Sequence, residues 1–110
     1  MLKKGDKAVV IGKRYNPQLG VYLTGPYVVT VVRVNKNSLK VAYEDGQDYY
    51  PTLFSPSGFA KKDPECVYGS ISYSLYTLEE AVTELKYYAS NKGRDDYLKK
   101  AESLKEKFAA

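Results

Sequence analysis

The chain has 110 residues, 44% hydrophobic and 27% charged, with a formal charge of +4. That suits one domain with one core and is too apolar for a disordered chain. There is no histidine and one cysteine, Cys66, which excludes Ser-His-Asp triads, Cys-His pairs, histidine-ligated metals and an internal disulfide.

The first part of the chain has the signals of β structure. Lys7-Ala8-Val9-Val10-Ile11-Gly12 predicts a short apolar strand after a Gly5-Asp6 turn. Lys13 to Gly25, with Asn16-Pro17 and Gly20, predicts a long polar connection. Pro26 then opens a valine-rich strand from Tyr27 to Val34. Its apolar residues run almost without interruption, which predicts cover on both faces. Asn35-Lys36-Asn37-Ser38 predicts a turn, and Leu39 to Glu44 a third strand with Leu39, Val41 and Tyr43 on one face. Asp45-Gly46 is a two-residue hairpin signal, so a fourth strand is expected from Gln47 to Pro51. Thr52 to Pro64 is expected to be a loop, and Glu65-Cys66-Val67-Tyr68 a short closing strand.

The period changes at Thr77. Thr77-Leu78-Glu79-Glu80 is a capping box, with Leu78, Ala81, Val82, Leu85 and Ala89 at helical spacing after it. Gly93 predicts the stop, and a second helix is expected from about Asp95 to Ala109 with an apolar stripe of Tyr97, Leu98, Ala101, Leu104 and Phe108. Helices of this length are marginal alone and need tertiary packing. The predicted fold is α+β: a small five-strand SH3-like barrel in residues 1–76, curled to protect its edges, and a helical hairpin in residues 77–110 packed on it.

Charge is unevenly spread. Residues 1–40 carry Lys3, Lys4, Lys7, Lys13, Arg14, Arg33, Lys36 and Lys40 against Asp6 alone, whereas residues 77–110 are balanced. Such a basic region attracts phosphates or an acidic protein, or simply solvates one face.

Two segments carry a resemblance: Lys4-Gly5-Asp6-Lys7-Ala8-Val9-Val10-Ile11, and Val31-Val32-Arg33-Val34 leading to Leu39-Lys40-Val41-Ala42-Tyr43-Glu44-Asp45-Gly46. The pattern resembles SH3-like barrels of the KOW and Tudor kind over roughly residues 3–69, as found in small bacteriophage accessory proteins. The resemblance implies binding rather than catalysis: RNA, transcription or ribosomal proteins for KOW domains, methylated side chains for Tudor domains. The helical tail lies outside that pattern.

The twelve tyrosines supply rigid contact area with a polar tip. Tyr15, Tyr22 and Tyr27 flank the long connection, and Tyr43, Tyr49 and Tyr50 flank the Asp45-Gly46 hairpin. With Lys13 and Arg14 they form the expected partner-binding surface, aromatic and cationic together. Plain strand packing is the expected role of at least half of these six tyrosines. A methyl-lysine cage from Tyr43, Tyr49, Tyr50 and Asp48 is a lesser alternative. Tyr68, Tyr73, Tyr76, Tyr87 and Tyr88 are expected to join barrel to helices.

Catalysis finds little support. Asp45 and Asp48 have structural reasons at a turn, Asp95 and Asp96 at a helix start. Gly5-Asp6-Lys7 lacks phosphate-loop spacing. The acidic and apolar surroundings of Cys66 would raise its thiol pKa, as in a buried structural cysteine. The expectation is therefore a non-enzymatic binding module with no cofactor and no metal. It binds a host or phage protein or, alternatively, nucleic acid through the basic first third. A lone cysteine, no apolar run of membrane length and no apolar stretch after Lys3-Lys4 place it in the cytoplasm, away from membranes.

Overall fold

The computed structural model describes residues 2–16, 18, 20–44, 52–55, 71–92 and 95–109. Among these residues five antiparallel strands are followed by two helices: β1 (Lys7–Asn16), β2 (Gly20–Val34), β3 (Leu39–Tyr43), β4 (Leu53–Phe54), β5 (Ile71–Tyr76), α1 (Leu78–Lys92) and α2 (Asp95–Ala109). The strands lie in the order β4-β3-β2-β1-β5. The α+β class and the five-strand count are as the sequence predicts.

The polar segment after Gly12 is not a loop. The β1–β2 ladder continues through Lys13↔Leu23 and Arg14↔Tyr22 to Asn16↔Gly20. On its other side, β1 pairs with β5 from Val9↔Tyr76 to Arg14↔Ile71. The turn residues mark only the hairpin tip; cross-strand pairing holds the polar stretch extended. Two further strands form where the sequence predicts none. Leu53–Phe54 pairs with β3 within the segment predicted as a loop, and Ile71–Tyr76 was not predicted. The Asp45-Gly46 hairpin, the expected strand 47–51 and the expected closing strand 65–68 lie outside the described residues.

Sequence alternation builds two cores on the two faces of this sheet. One face collects Ala8 and Val10 from β1, Val29 and Val31 from β2, Leu39, Val41 and Tyr43 from β3, Phe54 from β4, and Tyr73 and Leu75 from β5. Phe54 and Leu75 stand on opposite edge strands yet share this cluster. A flat sheet would hold them far apart, so the sheet curls into a half-barrel around the cluster, consistent with an SH3-like barrel. On the outer face, Val9, Ile11, Leu23 and Val28 meet Ala81, Val82 and Leu85 of α1 and Tyr97, Ala101 and Leu104 of α2.

Ala8, Val9, Val10 and Ile11 are all fully buried, so it is the first half of β1 that is covered on both faces. The valine run of β2 is not. Val28, Val29 and Val31 are buried, but Val32 is 39% and Val34 48% exposed. An extra β2 residue sits opposite Val41/Lys40, since Val31 pairs with Val41 but Arg33 with Lys40. A second lies at Gly25–Pro26, since Val10 pairs with Tyr27 but Gly12 with Thr24. The peptide bond between those two residues is cis. This extra residue switches the alternation, which is why Leu23 and Val28, five positions apart, both face the helices.

The capping box forms as predicted. The Thr77 amide donates to Glu80 Oε1 at 3.0 Å, and the Glu80 amide donates to Thr77 Oγ1 at 3.2 Å. Asp95 and Asp96 occupy the first turn of α2, where the helix dipole favours acids. Tyr97, 1% exposed, ties α2 to the sheet: its hydroxyl accepts the Leu23 amide at 2.9 Å. β3 pairs with β2 only from Val29 onward, so this hydroxyl occupies a strand edge that no described strand covers.

Candidate binding surface

The residues expected to form one aromatic and cationic surface are divided between the faces of the sheet. Lys13 belongs to the outer face. Its ammonium pairs with Glu84 of α1 at 2.5 Å and lies 5.8 Å from the Tyr88 ring centroid. Burial acts to lower its pKa, but hydrogen bonding to Glu84 and the charge and hydrogen-bond interactions with Tyr76 outweigh it, so the pKa is raised. Lys13 is thus a strut between β1 and α1. Arg14, the next residue, is exposed. Tyr15 and Tyr22 stand in the β1–β2 ladder, and their side chains lie outside the described residues.

Tyr27 and Tyr43 do come together, with ring centroids 6.3 Å apart and planes at 70°. Tyr43 belongs to the concave core at 7% exposure, and Tyr27 is half-buried against that core. Edge-to-face rings of this kind stabilise packing. Tyr49, Tyr50 and the cage partner Asp48 lie outside the described residues. Of the tyrosines expected at the barrel–helix junction, Tyr76 and Tyr88 pack against the helix-side core. Tyr73 instead faces the concave core, because its register opposite Gly12 sets it one position out of phase with Tyr76. Tyr87 is 59% exposed and meets Tyr88 edge-on at 5.3 Å; Tyr68 lies outside the described residues.

A different group of side chains makes a strongly basic surface. The Gly5 amide donates to the Val31 carbonyl at 2.7 Å, and the Val31 amide to the Asp6 carbonyl at 2.8 Å. These bonds carry the β1–β2 ladder into the N-terminal turn and set Lys3 and Lys4 beside the end of β2. Gly5 takes φ +93°, which a residue with a side chain rarely adopts. The Asp6 carboxylate is occupied locally, accepting the Lys3 amide at 2.9 Å. Arg33 and Lys40 face each other across the β2–β3 ladder. Lys36 sits in the turn between them, which the Asn35 amide closes by donating to the Ser38 carbonyl at 2.8 Å.

Lys3, Lys4, Arg33, Lys36 and Lys40 are all exposed, and none forms an ion pair among the described residues. Like charges opposite each other on a ladder are unfavourable, so Arg33 and Lys40 raise the local potential without helping the fold. Exposed Val32 and Val34 lie within this basic end. The sequence signal for these cations is the excess of positive charge in the first forty residues rather than any aromatic neighbour.

A second concave feature lies where α2 meets the β2 bulge. Two shallow hollows of about 130 and 180 Å³ share Pro26 and Lys107 and so form one groove. Tyr27, Tyr43 and Glu44 line one end, and Gly25, Lys100, Ser103 and Leu104 the other.

Among the described residues no group of three or more Asp, Glu, Cys or His side chains could hold a metal ion, and no helix is long and apolar enough to cross a membrane. The fold and this surface define a five-strand half-barrel with an appended helical hairpin and one basic end. Comparison with protein-family models, curated proteins and solved structures finds no match.

Proposed function

We propose that this chain is a non-catalytic binding module that engages an acidic partner protein through the basic end of its sheet. One observation carries the reading: Lys3, Lys4, Arg33, Lys36 and Lys40 converge from three segments, with no neutralising carboxylate among the described residues, around exposed Val32 and Val34. Apolar contact rimmed by charge is the anatomy of a protein interface, and single-sign charge speeds and orients encounter. The resemblance to barrels of small bacteriophage accessory proteins favours a host or phage protein as the partner. The test is affinity capture from nuclease-treated host lysate, with wild type and an Arg33→Glu/Lys40→Glu variant side by side. A specific protein held by the wild type and released by the variant supports the reading. Equal retention by both would overturn this surface.

The same cations favour a second reading, contact with the phosphates of nucleic acid. Phosphate contact makes affinity fall steeply with salt, by a log–log slope of about −3.5 if all five cations engage single strands. Titration of a labelled single-stranded oligonucleotide at two salt concentrations checks it. No binding at the lower concentration removes it.

A further inference from the structure

The outer face of the sheet changes character along its length. Val9 and Val28 pair in the β1–β2 ladder and are buried beneath the helices. In the next row on that face stand Lys7, Thr30 and Ala42, in register across β1, β2 and β3. Alternation turns all three outward, because Ala8, Val29, Val31, Val41 and Tyr43 beside them face the concave core. Beyond that row Arg33 stands opposite Lys40. Lys7, Arg33, Lys40 and Ala42 are exposed and Thr30 is half-buried, so the helical cover stops after the Val9–Val28 row. The Lys7 ammonium lies 3.8 Å from the Glu44 carboxylate, whereas Arg33 and Lys40 form no ion pair among the described residues. The bare patch thus has a floor of small side chains, Thr30 and Ala42, with two unneutralised cations along one side.

We propose that this patch receives one acidic helix of the partner, which extends over β2 and β3 the helical layer that α1 and α2 begin. Three observations select a helix. The backbone groups of β1, β2 and β3 pair with one another in the plane of the sheet, so the face offers side chains alone. An extended segment laid on it would find no backbone partner there, whereas a helix satisfies its own amides and carbonyls. The neighbouring part of the same face is already covered by helices. Thr30 and Ala42 are small enough for a helix to approach closely, and the stems of Arg33 and Lys40 add apolar contact at its flank. Charge makes that helix acidic. Cross-strand partners have Cα atoms about 4.5–5.5 Å apart. Carboxylates four positions apart lie on one helical face, about 6 Å from each other along the axis. One such pair reaches Arg33 and Lys40 together when the helix axis crosses the two strands. The inference rests on the partner reading above and names the structural class of what that partner presents.

The probe is a fluorescein-labelled alanine–glutamine peptide of about sixteen residues, with two glutamates four positions apart. A hydrocarbon staple on its far face holds it helical, since a free helix of this length is marginal. The control keeps both glutamates but is unstapled and broken by two central prolines. Anisotropy at low salt should show binding of the stapled peptide and at least about tenfold weaker binding of the control. In an NMR titration of the wild type, the Thr30 and Ala42 amides should shift. Ala42→Tyr keeps every charge, suits an exposed strand position and fills the floor. It should weaken binding at least about tenfold, and Arg33→Glu/Lys40→Glu should abolish it. A thermal melt checks that both variants fold, and the wild-type shifts need no variant. Absence of stapled-peptide binding overturns the helix. So does equal binding of the control, titration that leaves Thr30 and Ala42 unshifted, or unchanged affinity of folded Ala42→Tyr. Lysate capture separates this inference from the partner reading. A protein released by both variants supports both. A protein held by Ala42→Tyr but released by Arg33→Glu/Lys40→Glu sinks the helix and leaves the partner reading standing.

Discussion

Among the described residues, the concave face of the sheet is buried by the sheet's own strands, whereas the outer face is buried by a separate pair of helices. The concave core draws residues from all five strands, so it forms only when both edges curl toward it. The outer core draws only on β1 and β2 among the strands, with Tyr76 of β5 packed at its margin. The helices leave β3 uncovered: Lys40 and Ala42, which point outward, are exposed. The free surface is thus the part of the sheet that the helices do not reach, and the basic end lies there. Self-closure makes the fold; partial cover by the hairpin leaves the basic end exposed.

The largest expected effect is at the concave core. Phe54 is fully buried although β4 has only two residues, so its ring carries the attachment of that edge. Phe54→Ala should cost about 3–5 kcal/mol in denaturant unfolding. A loss below about 0.5 kcal/mol, typical of surface sites, would mean that the sheet does not close around this ring.

A smaller effect tests the helical cover. Tyr97→Phe keeps the buried ring and removes only the hydroxyl that accepts the Leu23 amide. Leaving a buried amide unpaired costs about 1–3 kcal/mol. Exchange of the Leu23 amide should accelerate in the variant, as read by NMR. Unchanged exchange would show that another group satisfies this edge and that α2 is held by apolar contact alone.

Much of this comparison was visible locally. Thr77 and Glu80 lie three positions apart and bond each other, so their box could be read without knowing the fold. Leu39, Val41 and Tyr43 alternate and share a face. β5 also carries a period-two signal, since Ser72 and Ser74 alternate with Tyr73 and Leu75. β4 carried too little pattern, because two residues become a strand only through β3. The site depended even more on distant pairing. Lys13 looked free because Glu84 is remote in sequence, and Lys3 and Lys4 looked unrelated to Arg33 because the Gly5–Val31 bond joins segments that are far apart in the chain.

The smallest expected effect is at the Lys13–Glu84 strut, the one described ion pair that joins sheet to helix. Both side chains are partly exposed, so a double-mutant cycle with Lys13→Met and Glu84→Gln should give a coupling of about 0.2–1 kcal/mol. Its pH dependence has a definite sign. Folding raises the Lys13 pKa above its ordinary value of 10.5. A group whose pKa rises on folding stabilises the native state fully below its unfolded value and loses that contribution as pH climbs through the folded one. The stability difference between wild type and Lys13→Met should therefore be level from neutral pH to about 10 and shrink above it. A difference that grows at high pH would mean that burial, which opposes the charge, prevails over Glu84 and Tyr76. The strut would then weaken the hairpin's hold on β1, and the cover of the outer face would rest on its apolar residues and on Tyr97.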